Sequence, residues 1–217
     1  MARISMLRDK SSFRRKPGQK QPRSITLIVC EGETESEYFT AARVRYGLTT
    51  AEVVLADNTE GSAPKSVVKC AEKRSAEPGG YDKIFCVFDR DSHQSFGDAR
   101  AKIGALAGRK KRPLPIAEAI SIPCFETWVL LHFERTDAAF VNCDEVIRRI
   151  REQHLANYQK ANRVAAEQLM NNVDMAIANA EWLELRAADN NYNPYTSVHH
   201  VLQHFARVAN QKTTRDL

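Results

Sequence analysis

Two apolar runs in this chain end in carboxylates. Leu27-Ile28-Val29-Cys30 leads into Glu31-Gly32-Glu33-Thr34-Glu35, and Ile84-Phe85-Cys86-Val87-Phe88 leads into Asp89-Arg90-Asp91. A short apolar run closed by a turn signal reads as a buried strand. Gly32 permits a tight turn after the first run. Ligands of an open parallel sheet bind beyond the carboxyl ends of its strands, so Glu31, Asp89 and Asp91 are expected on one edge. Carboxylate oxygens are hard donors that suit Mg²⁺ or Mn²⁺. Alternation lets Asp89 and Asp91 point one way while Arg90 points elsewhere. Acids gathered there repel one another without a cation, so the two runs together predict a metal site of Glu31, Asp89 and Asp91. Either run alone says little, because acids end strands, suit loops and cap helices.

Other residues carry weaker signals. Glu126 follows a further apolar run and opens a helix; it reads either as another metal ligand or as an acid favoured by the helix dipole. Lys160 reads as a cation for a phosphate or as a surface lysine. His93 could shuttle a proton or be incidental to its loop. Glu33 and Glu35 are the lesser acids, since the dipole alone explains Glu35 in a first helical turn. His199 and His200 read as helix surface, and Trp128 and Trp182 as core. Asn193, Pro194 and Thr196 read as a helix break followed by a cap.

The elements that would position these residues alternate. Ile25 to Cys30 is a strand, and Thr34 with Glu37 fits a capping box that starts a helix running to about Gly47. That helix is expected to bury Tyr38, Ala41, Ala42 and Val44. Glu52 to Ala56 is a second strand, and Pro64 sits in the first turn of the next helix, where its missing N–H costs nothing. Tyr81 to Phe88 is a third strand, Arg100 to Leu106 lies in a helix, Ile116 to Ile122 is a fourth strand, and Phe125 to Phe133 is a helix. This order implies a largely parallel sheet with helices on both faces. From Val141 to Asn210 only helical patterns follow: Asp144 to Arg151, a long helix over Arg163 to Ala187, and Ser197 to Asn210. The last shows Val198, Val201, Leu202 and Phe205 at helical spacing.

Residues 1–23 carry eight basic side chains against Asp9 alone, so the other 194 residues are close to −2 in a chain of net charge +5. They also contain Pro17, Gly18 and Pro22 and no apolar period. They read as an extended basic arm suited to a polyanion, nucleic acid above all, or as a solvated tail. The longest apolar runs fall far short of the ~20 residues that span a bilayer, and the arm lacks the apolar stretch of a secretory signal. A cytoplasmic location without membrane attachment is expected. The five cysteines are widely spaced with no C-x-x-C, so structural zinc is not expected. Reduced thiols are, with Cys30 and Cys86 acting as small hydrophobes.

The runs ending in Glu31-Gly32 and Asp89-Arg90-Asp91 resemble the Toprim domain. Within that group the chain is most similar to the RloB-like family. The matching pieces are the basic arm, Val29-Cys30-Glu31-Gly32-Glu33-Thr34-Glu35 with Tyr38-Phe39, and Val87-Phe88-Asp89-Arg90-Asp91. They continue with the stretch from Ser121 to Phe133, Tyr158-Gln159-Lys160, and Asn193 to Val198. The resemblance covers about residues 15–210. It implies an α/β fold: a Toprim-like, mostly parallel sheet of about four strands with helices on both faces, plus a C-terminal helical addition. The expected division is an arm over 1–23, an α/β domain over 24–135 and a helical subdomain over 136–217. The resemblance also implies metal-dependent phosphodiester chemistry in antiviral defence and abortive infection, beside an AAA-type ATPase. Carried over, Glu31 is a general acid/base or metal ligand, and Asp89 and Asp91 hold one or two Mg²⁺. Position 93 is His93, where a topoisomerase has a third acid, and no tyrosine nucleophile stands out, so water is the expected nucleophile. The substrate class is DNA or RNA, transfer RNA included. A regulatory subunit of the ATPase and a flavodoxin-like binder are the competing readings; monomer and homodimer look alike in sequence.

Overall fold

The computed structural model describes residues 24–57, 64–90, 95–187 and 192–216. The basic arm, Asp91 and His93 lie outside the described residues. Strands β1 (Thr26–Cys30), β2 (Ala51–Leu55), β3 (Lys83–Asp89) and β4 (Ile116–Ile122) pair in parallel, and β5 (Tyr195–Thr196) adds an antiparallel edge. The sheet order is β2-β1-β3-β4-β5, which puts β1 and β3 at the centre.

Burial on both faces explains why the central strands are apolar residue after residue. Ile28, Cys30, Phe85 and Val87 face one core, while Leu27, Val29, Ile84, Cys86 and Phe88 face another. The second core is closed by α2 (Pro64–Ser75) and α3 (Phe96–Ala107) through Val67, Val68, Ala71, Ala99, Ile103 and Leu106. The first is closed by α1 (Glu33–Arg45) and by the helices after β4: α4 (Glu126–Leu130), α5 (Cys143–Gln153), α6 (Arg163–Leu169), α7 (Val173–Arg186) and α8 (His199–Asp216). Each fully buried Leu, Ile or Phe contributes about 1.5–3 kcal/mol, so the two cores hold helices on both faces of the sheet, as expected. No helix among the described residues is long and apolar enough to cross a membrane.

Several local expectations fail for identifiable reasons. The stretch after Val141, read as helical throughout, also supplies β5, which is too short to show a period and is made by pairing with Ser121 and Ile122. The long helix predicted over Arg163 to Ala187 breaks at a 3₁₀ turn, Met170–Asn172, where Asn171 and Asn172 are poor helix formers. Helix α1 starts at Glu33 with Gly32 as its N-cap and no side-chain cap; the capping box does not form. The Thr34 hydroxyl instead accepts the N–H of Ala161 at 3.1 Å. Val44 is 70% exposed, while Phe39 is buried with Tyr38, Ala41 and Ala42. Helix α4 is shorter than predicted. His132 Nδ1 lies 3.0 Å from Trp128 O, and a carbonyl only accepts, so Nδ1 carries the proton. That ring occupies the carbonyl a further helical turn would use, and Tyr38 OH donates to its Nε2 at 3.0 Å. Trp128 is core, whereas Trp182 is half-buried between the guanidinium groups of Arg135 and Arg186.

Candidate metal centre

Parallel pairing with matched register, Cys30 beside Val87, brings the ends of β1 and β3 to the same edge. Glu31 extends β1: its N–H donates to Val87 O at 3.0 Å. Glu31 Oε2 accepts the N–H of Asp89 at 3.1 Å. Asp89 Oδ2 accepts the N–H of Phe125 at 2.9 Å, tying β3 to the turn after β4. Glu126 follows as the first residue of α4. Glu35 enters from the first turn of α1. A Cβ at position 32 would stand 2.8 Å from Glu35 Oε2, so the glycine makes room for that carboxylate. Glu31, Glu35 and Glu126 are only 8%, 5% and 1% exposed.

The electrostatics follow from that crowding. Burial, then the charges of Glu126 and Glu31, push the Glu35 carboxyl up to about 7, against the opposing pull of Lys160. Burial, then Glu35 and Glu126, push Asp89 well above the usual carboxylate range. Asp89 Oδ1 is buried without a hydrogen-bond partner among the described residues. A buried acceptor left this way costs free energy unless something pairs with it. Carboxylates from β1, β3, α1 and α4 thus gather at this edge, and their oxygens are of the type a hard divalent cation takes, although the ligand atoms close enough to share one ion among the described residues lie in other groups.

Glu126 is held on its far side. Tyr158 OH donates to Oε1 at 3.3 Å, and Lys160 Nζ lies 3.3 Å from Oε2. The Ala161–Thr34 hydrogen bond fastens the segment that carries Tyr158 and Lys160 to the start of α1. Lys160 is half exposed, so it neutralises Glu126 and also faces solvent. The structure thus brings together Glu31, Asp89, Glu126 and Lys160. It adds Glu35 and Tyr158, which sequence reasoning passed over. Glu35 was legible only as a first-turn acid; its spacing of four from Glu31 was the available sign that both could reach one site.

The cysteine expectation needs correction. Cys30 and Cys86 are buried free thiols, pushed up by burial, but Cys124 and Cys143 form a disulfide. Packing of the turn after β4 against the start of α5 brings their Cα atoms to 5.6 Å, a contact that a spacing of 19 residues does not announce. Cys143 Sγ lies 3.0 Å from Glu126 Oε2.

Fold and site together define an α/β protein with a buried carboxylate centre at the carboxyl ends of its parallel strands. The chain belongs to the RloB-like protein family, whose model matches residues 26–205. Comparison with the curated proteins and with the solved structures gives no match.

Proposed function

We propose that this chain is a metal-dependent nuclease that hydrolyses phosphodiester bonds of DNA or RNA in bacterial phage defence, working with an AAA-type ATPase. The observation that carries the reading is the orphaned Asp89 Oδ1 among the carboxylates of Glu31, Glu35 and Glu126. The resemblance to Toprim domains, with the family membership, supports the reaction class and the defence setting.

Glu31 and Asp89 are the residues that would hold Mg²⁺ or Mn²⁺, with Asp91 joining them on the sequence reading. When bound, the cation supplies Lewis-acid stabilisation of charge developing on the phosphate. Glu35, buried beside Glu31 and Glu126, is the carboxylate placed to take or give a proton. Lys160 offers its ammonium to a phosphate oxygen while holding Glu126 in place. An open cleft of about 580 Å³ leads away from Lys160 along α5, with Arg148 and Arg151 on its wall beside Asp144 and Glu152. Its cations suit the backbone of a nucleic-acid strand.

The direct test incubates the full chain, alone and with the ATPase encoded beside it, with plasmid, single-stranded DNA and transfer RNA, in Mg²⁺, Mn²⁺ or chelator. Metal-dependent cleavage of one of them is expected. No cleavage in any arm, together with stable association with the ATPase, would leave the chain as a regulatory subunit. Lys160 gives a graded check. Lys160→Ala is expected to lower activity about 10- to 100-fold, the usual cost of losing a partner that orients a ligand. Lys160→Arg should keep more of it, and an activity unchanged in Lys160→Ala would make that lysine a surface residue.

A further inference from the structure

A second group of metal-ligand side chains lies on other elements. Glu184 is in the last turn of α7, and His199 and His200 open α8. Glu184 Oε2 stands 3.2 Å from His199 Nε2 and 3.3 Å from His200 Nε2. All three ligand atoms lie within 4.8 Å of one another. Donors bound tetrahedrally at the usual Zn–N and Zn–O lengths sit ~3.3 Å apart, so the two measured separations match the edges of such a polyhedron. Two imidazoles and a carboxylate are also a donor set that borderline divalent ions prefer over Mg²⁺.

The surroundings are those of a held site. Tyr195 OH donates to Glu184 Oε1 at 3.2 Å and fixes the carboxylate, as outer-shell partners of metal ligands do. His199 is not the surface residue its sequence suggested: it is 1% exposed, while His200 is 45% exposed. The two rings are 4.1 Å apart between centroids, a spacing that disfavours two imidazolium charges. His200 and Glu184 are partly exposed to solvent. Without an ion, both rings must present an Nε2–H to one carboxylate oxygen.

We propose that Glu184, His199 and His200 form a Zn²⁺ site, closed by a water, that fastens the end of α7 to the start of α8. It is separate in residues and in ligand preference from the carboxylate centre of Glu31 and Asp89. The ion links two helices that enclose the core formed by Leu183, Val201, Leu202 and Phe205.

The full chain, untagged and stripped with chelator, is titrated with Zn²⁺ by calorimetry and with Co²⁺ by visible absorption. One equivalent of Zn²⁺ is expected. Co²⁺ should give the intense d–d absorption of a tetrahedral N/O site with no thiolate charge-transfer band. Both signals should fall at least tenfold in affinity in His200→Ala and in Glu184→Gln. These residues are solvent-accessible, so circular dichroism should show the variants folded. Asp89→Asn should bind Zn²⁺ like the wild type. No stoichiometric Zn²⁺ binding, binding undiminished in His200→Ala and Glu184→Gln, or binding lost in Asp89→Asn would each overturn the proposal. So would a thiolate band, which would place the ion at a free cysteine instead.

Discussion

Asp89→Asn is expected to abolish metal-dependent cleavage, with a rate about 10²- to 10⁴-fold below wild type. That range is the equivalent of the several kcal/mol of charge stabilisation a bound cation supplies. The amide variant is the informative one. Its side-chain oxygen still accepts the Phe125 N–H that Asp89 Oδ2 accepts at 2.9 Å. The turn carrying Glu126 therefore keeps its anchor. Asp89→Ala would remove that anchor too and leave a donor unpaired, at a cost of about 1–3 kcal/mol. Asparagine removes only the charge, and in chelator it relieves the repulsion from Glu35 and Glu126. The variant should thus melt no lower than the wild type without metal, yet gain little from Mn²⁺. Glu31→Gln should behave in the same direction, since Glu31 Oε2 holds the Asp89 N–H. Cleavage by Asp89→Asn within a few-fold of wild type would sink the assignment, and melting measured alongside separates lost chemistry from lost fold.

The parts legible in the sequence are those where one local signal decides. Leu27 to Cys30 and Ile84 to Phe88 are apolar on successive residues because both faces of β1 and β3 are covered, and no other common element has that pattern at that length. Their carboxyl ends then place Glu31 and Asp89 without further information. What was misread depends on partners distant in sequence. Thr34 looks like a cap in isolation, but its hydroxyl is taken by Ala161, which lies 127 residues away. Two-residue β5 exists because Ser121 and Ile122 offer an edge. His199 sits beside the exposed His200 at the start of α8, so only the packing of α7 against α8 reveals its burial. For Glu35 the helix dipole is already a sufficient local reason for a first-turn acid. A sufficient local reason does not exclude a tertiary one, and the room left by Gly32 shows that both apply.

Glu35 also makes the stability of the metal-free protein depend on pH. Its folded pKa of about 7 lies above the ordinary glutamate value of 4.5. Between these values the folded state binds the extra proton, so folding becomes less favourable as pH rises from 4.5 to 7. At about 1.4 kcal/mol per unit, the loss amounts to about 3 kcal/mol and is complete above the folded value. Asp89, raised by the same crowding, adds to it with the same sign. His132 and His199 are shifted the other way, each to about 4, and they lower stability as pH falls. The raw curve therefore mixes opposite slopes. The difference between Glu35→Gln and wild type cancels the histidines. In chelator, that difference should be near zero around pH 4.5 and should favour the glutamine variant by about 3 kcal/mol at pH 8. Urea unfolding at each pH measures it. Saturating Mn²⁺ should collapse the difference at pH 8, because a cation that binds only the folded state replaces the proton as the neutraliser of the cluster. A difference that is constant with pH, or indifferent to Mn²⁺, would mean that Glu35 shares neither charge nor cation with Glu31, Asp89 and Glu126.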